Sequence, residues 1–143
     1  MIIGIDLGGM SAKGALLVGD QLKGKSRVET SASDTAEQTA LAIASLVLQT
    51  AEKANKQLDD IQAIGIGAPG VVDSEHGIIV SWTNFGWKNV RLAALVEKFT
   101  GKKTFLLNDA NAAALGEAEY GAGKRFSDSV LLTLGTGIGS GII

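Results

Sequence analysis

Cysteine is absent from the 143 residues, which excludes a disulfide framework, a thiol nucleophile and any cysteine-based zinc site, and agrees with a reducing, cytoplasmic setting. Long apolar runs are also missing. The longest, residues 41–48, is broken by Ser45, and a membrane span needs about 18 consecutive apolar residues. The amino terminus has no basic stretch and places Asp6 where a signal peptide would be apolar, so export is not expected. Basic residues neither dominate nor cluster: 13 Lys and Arg face 15 Asp and Glu, the net charge is −2, and no basic run exceeds Lys102-Lys103. No nucleic-acid partner and no membrane are therefore expected. The single histidine, His76, lies in a polar turn without a triad or metal-ligand partner and reads as a surface residue.

What is present fits one soluble globular fold. Hydrophobic residues make up 45% of the chain and charged residues 20%, with mean hydropathy +0.22. Glycine is abundant at 19 residues, often in clusters directly after apolar runs. There a strand hands over to a tight turn whose amides can cradle phosphate. Residues 2–7, 12–18 and 22–29 read as three consecutive antiparallel strands, the third with Lys and Arg interleaved. Between 34 and 55 apolar residues recur at spacings of three and four, predicting an amphipathic helix, with Asp34 and Glu37 placed like a capping pair. Residues 61–66 and 77–81 read as strands, and 84–87 as a loop near both tryptophans. Asn89 is the expected cap of a second helix bearing Leu92, Leu95, Val96 and Phe99 and stopped by Gly101. With the short strand at 77–81 left out of the order, a strand at 104–107, an alanine-rich helix at 109–120 and a last strand at 129–134 complete a βββ-α-β-α-β-α-β order. Residues 2–9 and 129–136 repeat weakly, each an apolar strand running into a Leu-Gly turn, so 129–143 reads as the first hairpin of a second domain.

Two phosphate-motif matches fail on context. Gly19 to Ser26 fits the Walker A pattern, but strand-forming Arg27-Val28-Glu29-Thr30 follows where a helix must begin. Gly65 to Gly70 fits G-x-G-x-x-G, but Pro69 and Val71-Val72-Asp73 favour a rigid turn into a strand over a helix. Asp109 stands at a strand-to-helix junction, where amides and the helix dipole favour a carboxylate. The residue pattern alone is satisfied either by a helix cap or by an ionised base facing a cleft. The tryptophans Trp82 and Trp87 read as packing that shapes their loop, with ligand stacking as the alternative.

Asp6-Leu7-Gly8-Gly9, Asn108-Asp109-Ala110-Asn111-Ala112-Ala113-Ala114 and the run from Leu134 to Gly141 closely resemble segments of the ROK family of bacterial sugar kinases and repressors. Gly65 to Val71 and Trp82 to Trp87 resemble further segments of that family, in the family's order. The resemblance implies an α/β, actin-like ATPase (ribonuclease H-like) fold, a mixed five-stranded sheet with helices on both faces. It divides the chain into an amino-terminal sugar-kinase domain at 1–123 and, at 124–143, the first hairpin of a nucleotide-binding domain whose remainder is absent. The implied activity is ATP-dependent phosphorylation of a hexose, glucokinase-like, with the 143 residues inactive alone. The alternative is a non-catalytic sugar- or partner-binding module related to the family's regulators. Those regulators carry a helix-turn-helix ahead of the kinase-like region, and the first strand here starts at residue 2, which favours the kinase branch.

By the same resemblance Asp109 is the catalytic base, Gly70, Asn84, Asn108 and Asp109 form the sugar site, and Asp6, Gly8, Gly9 and Lys13 contact phosphate. Gly135, Thr136 and Gly137 form the second phosphate motif, ATP and Mg²⁺ are the expected cofactors, and Asp6 would hold Mg²⁺ through water. The family's structural zinc site has no counterpart in these residues. A homo-oligomer is expected. One departure stands out: Met10 occupies a position where the family usually has Thr, and offers no hydroxyl to a phosphate.

Overall fold

The structure, a computed structural model, describes residues 1–134 and 138–143. Strict alternation builds its first strand, β1 (Ile2–Leu7): Ile3, Ile5 and Leu7 are buried, while Ile2, Gly4 and Asp6 face the other way. It pairs antiparallel with β2 (Ser11–Val18), which in turn pairs antiparallel with β3 (Gln21–Glu29). The Walker-like residues 19–26 therefore form a hairpin turn and a strand. Helix α1 (Ala36–Lys53) crosses back over the sheet and delivers β4 (Ala63–Ala68) parallel to β1. A small antiparallel sheet of β5 (Val71–Asp73), β6 (Ile78–Trp82) and β7 (Trp87–Val90) follows. Helix α2 (Leu92–Thr100) leads to β8 (Lys103–Asn108), parallel to β4, and α3 (Asp109–Tyr120) begins directly at its end. The main sheet is mixed and five-stranded in the order β3-β2-β1-β4-β8.

One face of this sheet carries the core. Ile3, Leu16, Ile64 and Leu106 meet Ile43, Leu46 and Val47 of α1 and Val96 of α2, and each such buried aliphatic side chain contributes about 1.5–3 kcal/mol. Close approach of α1 depends on glycine in the strands beneath it. A Cβ on Gly14 would lie 3.2 Å from Leu46 Cγ, and Gly24, at φ +62°, faces the Thr50 carbonyl with no room for a side chain. The opposite face is covered only in part, by α3, whose Ala112 lies over Gly67. Ile2, Leu22 and Phe105 stay exposed there. Helices thus stand on both faces, unequally.

Local starts differ from expectation in three places. Helix α1 is capped by Thr35, whose hydroxyl accepts from Gln38 N–H while the Gln38 side chain accepts from Thr35 N–H; Asp34 instead accepts from Ser31 N–H at 2.7 Å. Asn89 does not cap α2. It lies in β7 with φ +51°, and Arg91 precedes the helix without a side-chain cap bond. The stretch expected as a loop at 84–87 is a 3₁₀ turn, Thr83–Phe85, followed by β7. The repeat at the carboxyl end forms a second antiparallel hairpin, β9 (Val130–Leu134) and β10 (Ile138–Ile142), resting on α3 through Gly141, which is buried beside Ala110 and Ala114.

Candidate functional site

The turn between β1 and β2 is held from within and from outside. Gly8 N–H donates to the Ser11 carbonyl at 2.9 Å, closing the turn. Thr30, just beyond β3, donates its hydroxyl to the Gly8 carbonyl at 2.9 Å and its N–H to the Met10 carbonyl at 3.2 Å. The Gly8 amide is therefore already engaged, and the amides of Gly9 and Met10 are those left to meet an anion. The Met10 side chain is 83% exposed.

Asp6 sits one residue before the end of β1, on the incompletely covered face, in register with Lys13 on one side and Gly67 on the other. Lys13 Nζ lies 3.8 Å from its carboxylate, and both side chains are mostly solvated, so this pair is a loose one. Across Gly67 stands Asp109: a Cβ on that glycine would lie 3.6 Å from the Asp109 Cα. Asp6 and Asp109 thus flank a strand position without a side chain. Together with Lys13 they line one end of an open cleft of about 1300 Å³ whose greater part is the uncovered apolar sheet face.

The two readings of Asp109 separate here. The cap of α3 is Asn108, whose Oδ1 accepts from Ala110 N–H at 3.1 Å and Asn111 N–H at 3.2 Å. Asp109 is the first helical residue, exposed, with its Oδ1 accepting from Ala110 N–H at 2.8 Å. The residue lines the cleft. Asn108 Nδ2 donates to the Gly70 carbonyl at 3.0 Å, which leaves one of its amide hydrogens for a ligand. Gly70 itself, at φ +87°, turns the chain from β4 into β5 so tightly that a Cβ would collide with the Ser81 carbonyl. Strand β5 follows this turn at the place where the G-x-G-x-x-G pattern requires a helix.

Asn84 is exposed in the 3₁₀ turn and does not line the cleft. Behind it Trp82 and Phe85 stack at 3.8 Å, and Trp87 meets both edge-on at 5.4 and 5.1 Å. All three rings are buried and serve as packing. Phe85 Cε2 lies 3.9 Å from the Cβ position of Gly9, so this cluster joins the Asn84 turn to the β1–β2 turn. Gly135, Thr136 and Gly137 lie outside the described residues. Among the described residues no group of three or more His, Cys, Asp and Glu could hold a metal ion, and no helix is long and apolar enough to cross a membrane. His76 has a partner that the sequence reading did not assign: its Nδ1 lies 2.9 Å from Asp73 Oδ2 in an exposed turn. Hydrogen bonds from the His76 backbone N–H and then its ring hold the Asp73 carboxyl below its ordinary 3.8. Thr30 is the residue of this region that sequence reasoning missed; its position at the end of a strand gave no sign of the turn it fastens.

Comparison with known proteins places the site in context. The model of the ROK family matches residues 2–143. A glucokinase of Thermotoga maritima is 40% identical over 99% of this chain, and a xylose repressor of Caldicellulosiruptor bescii is 37% identical over 68% of it. The chain spans 44% of that glucokinase and 25% of that repressor. The crystal structure of a ROK family glucokinase from Streptomyces griseus, in complex with glucose and AMPPNP, superposes with a TM-score of 0.88 at 35% identity, over 99% of this chain and 44% of that one.

Proposed function

Because the chain belongs to the ROK family and has its actin-like ATPase fold, we propose that it supplies the sugar side of an ATP-dependent hexose kinase in which Asp109 is the general base. The observation that carries this reading is the division of labour at the start of α3: Asn108 caps the helix, and the neighbouring carboxylate is left at the cleft. In the proposed reaction Asp109 takes the proton of a sugar hydroxyl, the 6-hydroxyl of glucose, as that oxygen attacks the γ-phosphate of ATP. Phosphoryl transfer depends mainly on alignment and charge neutralisation, so an ordinary exposed carboxylate suffices. Asn84, the free Asn108 amide hydrogen and the Gly70 turn would hold sugar hydroxyls. The Gly9 and Met10 amides with Lys13 would face phosphate, joined by Gly135, Thr136 and Gly137. Mg²⁺ binds through few protein ligands plus water and phosphate, which the single exposed carboxylate of Asp6 fits, and when bound it neutralises phosphate charge. Assembly into a homo-oligomer belongs to the same reading.

A second reading, a regulator-like module that binds sugar and transfers nothing, is favoured by Met10, whose side chain brings no hydroxyl to the turn. The two are separated in a chain of glucokinase length carrying these residues, for example a chimera completed with the Thermotoga maritima enzyme, assayed for ATP-dependent phosphorylation of a hexose panel. Glucose phosphorylation is expected. Asp109→Asn should lower kcat by about 10²–10⁴ while leaving sugar affinity within a few-fold. A variant with near wild-type kcat would remove Asp109 from the reaction, and sugar binding without any turnover in the parent would favour the module.

A further inference from the structure

The Asn84 turn and the β1–β2 turn, which serve different ends of the proposed reaction, touch at one point: Phe85 against Gly9. The β1–β2 turn is fastened unevenly. Gly8 is held through its N–H and its carbonyl, and Met10 through its carbonyl, whereas among the described residues Gly9 makes no hydrogen bond with the rest of the protein. Its restraint is a ring edge. Apart from the chain neighbours of Gly9, Phe85 Cε2, at 3.9 Å, is the only described atom within 4 Å of the place where a Gly9 Cβ would stand. The Gly9 N–H is one of the two amides left to meet an anion, and a hydrogen bond weakens steeply when its donor is misaligned. The aim of that donor therefore depends on where Phe85 lies.

The position of Phe85 is set by the segment that carries Asn84. The two residues are consecutive in the single 3₁₀ turn Thr83–Phe85, Asn84 exposed and Phe85 buried. Gly86, in the left-handed region at φ +63°, closes the turn with its N–H on the Thr83 carbonyl at 3.1 Å. Phe85 is clamped by Trp82, stacked at 3.8 Å, and by Trp87, edge-on at 5.1 Å, which are themselves register partners in β6 and β7. Aromatic pairs of this geometry attract beyond their buried area, so the three rings hold together as one piece. A ligand that engages Asn84 pulls on a turn with little slack, and the displacement reaches Gly9 through the Phe85 ring. We propose that Phe85 is a positioning residue that couples occupancy of the Asn84 turn by a sugar to the aim of the Gly9 N–H at a phosphate. The inference rests on the kinase reading for what the two turns bind and adds the residue that connects them. Phe85 acts through Gly9 in this role, as packed side chains do where a rigid element links two sites.

The test uses the chimera of glucokinase length, in which AMPPNP binding is measured by calorimetry with and without saturating glucose. Glucose should tighten AMPPNP at least about fivefold, a coupling of ordinary size. Phe85→Leu, apolar but without the ring, should bring that factor below about twofold and leave glucose affinity alone within about threefold. Phe85→Tyr, which keeps the ring, should retain the factor. Trp87→Phe disturbs the same cluster away from Gly9 and should retain it as well, an outcome that separates positioning from general packing. In the 143-residue chain, Phe85→Leu should move the Gly9 amide resonance, and Phe85→Tyr should leave it nearly in place. The same amide spectra report whether each variant keeps the fold, and Phe85→Met takes the place of Phe85→Leu if the latter loses it. A glucose effect that survives in Phe85→Leu, is lost equally in Phe85→Tyr or Trp87→Phe, or is absent from the parent would overturn the positioning role, as would an unmoved Gly9 resonance. Glucose phosphorylation without such coupling would leave the kinase reading standing. Phe85-dependent coupling without turnover would count against that reading and for the role of Phe85.

Discussion

Asn108 shows how one side chain can serve two structures through its two ends. Its oxygen caps α3 while its nitrogen ties the β4–β5 turn at Gly70. Asn108→Ser keeps a capping oxygen and loses the Gly70 bond, which should cost about 0.5–1.5 kcal/mol in urea unfolding. Asn108→Ala also removes the cap and should cost about 1 kcal/mol more. Equal costs would mean that the cap contributes nothing. A second residue-scale expectation concerns Asp73, whose carboxyl is held low by the His76 backbone N–H and then by the imidazole. A depressed acid stabilises the folded turn above its ordinary range, and that contribution is lost as pH falls through the lowered value. A carbon-detected titration should place the Asp73 midpoint below 3.8, and His76→Ala should move it part of the way back. An unchanged midpoint in the variant would assign the whole effect to the backbone.

At the scale of elements, α1 seals the core. Leu46 is fully buried, meets the backbone of β2 where Gly14 leaves space, and has no route to solvent. Leu46→Ala should destabilise the fold by about 2–5 kcal/mol, measured by chemical denaturation; a loss below 1 kcal/mol would indicate that the helix collapses into the cavity. Elements with a clear period were legible in the sequence: alternation found β1 and β2, and three–four spacing found α1 and α2. Helix starts were less so. Asp34 and Thr35 are both capping residues with an acid or amide three positions on, and the choice between them was made by a turn bond from Ser31 that the pattern does not encode. Asn89 looked like a cap because asparagine serves caps and left-handed positions alike, and here the latter applies. At the site, Asp6, Lys13 and Asp109 line one cleft. The role of Thr30 depends on which strands become neighbours, and no local pattern states that.

For the whole molecule, apolar surface remains outside the core. The outward face of the β9–β10 hairpin presents Val130, Leu132, Ile138 and Ile142 to solvent, and the main sheet ends at β3 and β8 with unpaired strand edges. Self-association of the 143-residue chain is expected, with a sedimentation coefficient that rises with concentration, and Leu132→Glu should reduce it. A single monomeric species at high concentration would speak against this.

The position of β1 in the sheet has a temporal side. Its two neighbours come from very different distances along the chain: β2 follows within a few residues, whereas β4 begins at residue 63. A chain leaving the ribosome can therefore form the β1–β2–β3 meander early, but it carries the other edge of β1, with Ile3 and Ile5 alongside, until β4 has emerged. The edge of β4 then waits in turn for β8, at residues 103–108. β1 precedes every other strand of the sheet, yet one of its edges stays open until β4 is complete at residue 68, so synthesis itself holds a sticky strand open through the whole of α1, and a pause in translation between residues 30 and 60 lengthens that exposure.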